Sequence, residues 1–168
     1  MKLLILSLSH SLHLLATVIW IGGIVMILFV ILPGAKNALE STPMVSGLMK
    51  DISKRFTPMA NISILVLIVT GIVIAHYEKN FTGFWDFNNS WNIIIFLKHS
   101  FVTLMIIIHF YRGLILNPRI GKLSNESQAT PPLFSQVARL QKFSLALVKT
   151  NLILGLIVLL LSGISSSL

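Results

Sequence analysis

Four apolar runs dominate this chain, and each is long enough to cross a lipid bilayer. They extend from Leu3 to Leu32, from about Thr57 to Tyr77, from about Trp91 to Leu116 and from about Phe143 to Ile164. A membrane helix needs roughly 20 mainly apolar residues to cross ~30 Å of hydrocarbon. Among 168 residues, such runs leave no room for a soluble core. Only 11% of residues are charged, 55% are apolar and the mean hydropathy is +0.88, whereas a soluble domain carries ~25% charged residues. Disorder is excluded too, because it needs low hydrophobicity. The prediction is an all-α membrane protein: one integral membrane domain, residues 1–168, folded as an antiparallel four-transmembrane-helix bundle.

Prolines suggest where the helices end. Pro33-Gly34 predicts a stop for the first helix, and Asn117-Pro118 a stop for the third. Pro58 opens the second, where its missing amide proton is harmless. Residues 35–56 read as a polar, basic loop with a short interfacial helix in its middle. Residues 78–90 (EKNFTGFWDFNNS) read as an aromatic loop at a membrane surface. Residues 120–132 read as a linker, and 133–142 (LFSQVARLQK) as an amphipathic interfacial segment leading into helix four. The first run exceeds the 7–15 residues of a signal-peptide core and lacks a small-residue cleavage site, so it reads as a retained helix.

The charge of +8 falls on one side rather than on a nucleic-acid surface. Loops one–two and three–four, with their helix ends, hold Lys36, Lys50, Lys54, Arg55, Arg112, Arg119, Lys122, Arg139 and Lys142; the other side holds Lys2 and Lys79. The positive-inside rule then sets both termini outside the cytoplasmic membrane of a prokaryote. The expected surroundings are lipids, an unidentified redox or metal-delivery partner and no nucleic acid. A homodimer is open to such a bundle.

All five histidines lie in or beside the spans, and ionisable groups there mark function by default. At 1.5 Å per residue, His13 and His99 both lie about 6–7 Å outward from the middle of their helices. His10 and His76 are nearer the outer interface. His109 is alone in the inner half, near the level of Asn61 and Lys149. His10, His13 and Thr17 share a stripe, as do His99 and Thr103. The expected outer site is His13 with His99, with His76 the nearest competitor; His109 offers an inner polar site. His13, His99 and His109 could instead serve only as helix-to-helix hydrogen bonders, and His10 and His76 could simply be solvated at the interface. Gly22-Gly23 could allow close helix packing or make room for a flat cofactor. Without cysteine, disulfides, thiolate metal sites and iron–sulfur clusters are excluded. The six methionines form no run that would suggest a copper(I) ladder.

SLHLLATVIWIGGIVMILFVILPGA (Ser11 to Ala35), RFTPMANISILVLIVTGIVIA (Arg55 to Ala75), FLKHSFVTLMIIIHFYRGLILNPRI and NLILGLIVLLLSGI resemble the successive helices of the copper-resistance D (CopD-like) membrane domain. That resemblance implies copper handling in the periplasm or across the inner membrane. Helices one and three also resemble the HemJ-type protoporphyrinogen oxidases, a more distant likeness that implies haem and redox chemistry.

Two cargoes follow. The first reading is a b-type haem protein that transfers electrons through a haem held by His13 and His99 in the outer half of the bilayer. Lys98, Lys79, Trp85 and Trp91 would pair with or cover its propionates, with the aromatic loop as a lid. As an enzyme it would be a membrane-bound haem oxidoreductase. The alternative is a copper-binding or transport protein that uses the same outer histidines as metal ligands, with His76 and His109 as further candidates. A third reading is a membrane partner whose polar residues serve assembly alone.

Overall fold

The computed structural model describes residues 1–77, 90–126 and 131–166, and nearly all of them are helical. In chain order the elements are α1 (Lys2–Met26), a π turn (Ile27–Ile31), α2 (Leu32–Ala38), α3 (Thr42–Tyr77), α4 (Ser90–Tyr111), a second π turn (Arg112–Leu116), α5 (Asn117–Glu126) and α6 (Pro131–Ser165). Four continuous helical stretches are long and apolar enough to span a membrane: Lys2–Ala38, Thr42–Tyr77, Ser90–Ser124 and Leu133–Ser165. Large apolar side chains such as Leu14, Val18, Ile72, Leu114 and Leu160 lie exposed. Water would penalise that surface, and lipid does not. The protein is an all-α integral membrane protein with four such helices.

Neither proline stops its helix, contrary to expectation. The first helix runs past Pro33-Gly34 to Ala38, and the third runs past Asn117-Pro118 to Glu126. A π turn precedes each proline. The Leu32 amide bonds to the Ile27 carbonyl and the Asn117 amide to the Arg112 carbonyl, each five residues back. A proline inside an α-helix lacks a donor and clashes with the carbonyl four residues back. The widened turn just ahead of it relieves that conflict locally. Pro58 likewise lies inside α3 rather than in a first turn. There the Thr57 hydroxyl donates to the Ser53 carbonyl at 2.7 Å.

The polar connections also differ from expectation. Residues 42–56 are not a loop but the first half of α3. Val45, Met49, Ile52 and Phe56 form a half-buried stripe at helical spacing, while Lys50, Asp51, Lys54 and Arg55 are exposed. Residues 133–142 are continuous with α6, with Val137 buried and Arg139 exposed. The periodic apolar positions sustain each helix beyond its span. Residues 78–89, the expected aromatic lid, lie outside the described residues.

The chain forms two compact units, Met1–Asn92 and Ile93–Leu168. In the first, α1 packs antiparallel on α3. Ser9, Ala16, Trp20 and Ile24 supply one buried stripe, and Ala60, Ser63, Ile64 and Thr70 the other. Small residues on both sides let the backbones approach. A Cβ on Gly23 would land on the Phe56 ring, whereas one on Gly22 would meet nothing within 4 Å. Gly23 is thus a packing notch filled by Phe56, not a shelf for a flat cofactor. At the far end of the hairpin, the Lys2 ammonium lies 5.3 Å from the Tyr77 ring centroid, a cation–π contact worth ~0.5–1 kcal/mol. In the second unit, α5 and the π turn before it pack on α6.

Candidate functional site

His13 occupies the interior of the first unit, half-buried between α1 and α3. Its Nδ1 lies 2.8 Å from Thr70 Oγ1, and the Thr70 hydroxyl donates to the Val66 carbonyl at 2.6 Å. A hydroxyl has one proton. With that proton committed to Val66, Thr70 Oγ1 accepts and His13 Nδ1–H donates. The neutral ring therefore carries its lone pair on Nε2, the atom a metal ion would take. Fixing a ligand imidazole through its other nitrogen is the usual support for metal-binding histidine. Gly71 lies beside the ring, and a Cβ there would sit 3.7 Å from His13 Cε1.

His99 reaches the same protonation by a different route. Its Nδ1 lies 2.7 Å from the Ile95 carbonyl, which can only accept, so Nδ1–H donates and Nε2 again carries the lone pair. Thr17 and Thr103 donate to the His13 and His99 carbonyls, each at 2.8 Å. The stripes expected at those positions thus exist as backbone-anchored turns. His99 is exposed within the chain. His13 and His99 belong to different units.

The remaining candidates fall in three groups. His10 and His76 are exposed, with His76 edge-on to Tyr77 at 5.1 Å between ring centroids. Lys98 is half-buried, Trp91 is buried, and Asn61 and Lys149 are exposed. Trp85 and Lys79 lie outside the described residues. His109 is buried on α4. Among the described residues, no three His, Asp or Glu side chains form a ready metal cage.

Three polar contacts in the second unit escaped sequence reasoning. Arg112 Nε donates to Ser144 Oγ at 3.2 Å, and Ser144 Oγ lies 3.5 Å from Asn117 Oδ1. Asn151 Nδ2 donates to the Met105 carbonyl at 3.3 Å. Thr70 was missed as well, although the depth arithmetic that picked out His13 places Thr70 at nearly the same level.

A family model described as copper resistance protein D (CopD) matches residues 50–165. No curated protein and no solved structure matches the chain. The match takes in the second, third and fourth spans, while the first-helix resemblance lies outside it. It favours copper over haem as cargo, and the HemJ-type likeness gains no support from it. Running from the first third of α3 to the last turn of α6, well over half the sequence, it shows that the chain belongs to the copper resistance protein D family.

Proposed function

We propose that this protein binds copper within the membrane and passes it on, with His13 as an imidazole ligand in the first unit and His99 as one in the second. The observation that carries the reading is the hydrogen-bond relay from His13 through Thr70 to Val66, in a chain whose family is one of copper resistance. A relay of this kind sets the tautomer and orients the ring in advance, so binding does not have to do so. Neutral imidazoles suit copper and add no charge to the hydrocarbon. His76, exposed at the end of α3, is the competing ligand. The basic residues at the Lys36 and Arg119 ends support an orientation with those ends in the cytoplasm of a prokaryote and the histidine ends of the helices outside.

Copper titration of the purified protein in detergent tests this. Wild type should bind copper, and His13→Ala and His99→Ala should each weaken binding at least tenfold, while His76→Ala should leave it unchanged. A reducible Soret band in the purified protein would favour haem and overturn the proposal, as would unaltered copper binding in His13→Ala.

A further inference from the structure

The second unit holds another set of donor atoms, distinct from the histidines proposed above. Met105 and His109 are four residues apart on α4, so their side chains rise from one stripe, and they are 1% and 8% exposed. α6 meets that stripe above and below. Asn151 bonds to the Met105 carbonyl and Ser144 to the Arg112 side chain. Each pair of positions is seven residues apart, two turns in antiparallel register, and His109 falls between them. Asn151 is 2% exposed, and its Oδ1 is buried with no hydrogen-bond partner among the described residues. The nitrogen of the same carboxamide is tied to the Met105 turn, so the oxygen is held against that turn as well.

An acceptor left unsatisfied in a low-dielectric interior costs ~1–3 kcal/mol. It calls for a proton donor or a cation. A thioether and an imidazole together form a donor set with no charge. Soft sulfur with imidazole suits copper(I), whereas magnesium and calcium require several oxygens. Charge selects further. All five carboxylates of the chain (Glu40, Asp51, Glu78, Asp86 and Glu126) lie outside the apolar runs, and Arg112 stands on the same stripe. Burying a dication costs roughly four times as much as a monocation of similar size, because Born solvation scales with the square of charge. A metal-bound imidazole also gives its second N–H to a carbonyl or carboxylate, and Asn151 Oδ1 is the acceptor at hand.

We propose that Met105 and His109, with Asn151 Oδ1 as hydrogen-bond acceptor, form a second copper(I) position inside the second unit. This rests on the copper reading. X-ray absorption of the full-length protein, loaded with copper(I) under reducing conditions, tests it. Wild type should show a sulfur scatterer on part of the bound copper. Met105→Leu conserves volume and packing; it should remove that sulfur shell and one bound copper per chain. His13→Ala should keep the sulfur shell, and His109→Gln should release the same copper as Met105→Leu. Copper bound with no sulfur shell, or a shell that survives Met105→Leu, overturns this second position and leaves the histidine reading standing. Failure of the wild type to bind any copper overturns both.

Discussion

Replacing Thr70 by Val removes one hydroxyl and keeps the side chain's shape. In the native fold that hydroxyl accepts from His13 Nδ1 at 2.8 Å and donates to the Val66 carbonyl at 2.6 Å. The stability cost is small: interhelical hydrogen bonds in membranes average ~0.6 kcal/mol, and the Val66 carbonyl keeps its backbone bond. The cost to metal binding is larger. With no acceptor at Nδ1, the ring is free to rotate or to move its proton to Nε2, and the lone pair leaves the position set for a metal. Loss of such a supporting contact lowers affinity ~10–100-fold, equivalent to about 1.4–2.7 kcal/mol. Competition against a chromophoric copper(I) chelator measures this, with thermal unfolding of the same samples as a control. Thr70→Ser retains the hydroxyl and should bind nearly as wild type does. The reasoning is refuted if Thr70→Val binds as tightly as wild type, or if Thr70→Ser loses as much.

Two further outcomes follow from the fold. Gly23→Ala forces a methyl into the Phe56 ring and should cost ~1–3 kcal/mol of stability in detergent, whereas Gly22→Ala, with open space around it, should stay within ~0.5 kcal/mol of wild type. Adding Phe56→Leu to Gly23→Ala should recover part of the loss, and an unchanged deficit would rule out the clash. A reporter fused after Leu168 should be active only if it functions outside the cytoplasm; activity of a cytoplasmic reporter there would reverse the proposed orientation.

The four spanning helices were legible because length and hydropathy alone decide them. Their ends were not. Pro33 and Pro118 carry a real stop signal in an α-helix, but a π turn is a backbone rearrangement with no side-chain signature in ILFVI or RGLIL. The polar half of α3 read as a loop because Lys50, Asp51, Lys54 and Arg55 mask a stripe of only four apolar positions. His13 was singled out by its chemistry and depth. Thr70 and Asn151 were not, because a hydroxyl or amide in a span is common enough to pass unremarked until its partner is seen. Met105 was set aside for want of neighbouring methionines, although the neighbour that matters to it, His109, is one turn away.

The two π turns also bear on how this chain can change length. Each holds one residue more than the α turn it replaces, so each is in effect an insertion that the helix has absorbed without breaking. Deleting one residue between Ile27 and Ile31 would restore an α turn and leave what lies beyond it close to its present facing, because the widened turn already holds the extra residue within one turn. Lys36 would keep its face, and His13, upstream, its place. The same deletion between Arg112 and Leu116 would leave Asn117 near Ser144 and Met105 and His109 where they are. A one-residue deletion inside either five-residue stretch is therefore absorbed there, whereas one in the α-helical turns outside them would rotate all that follows by ~100°.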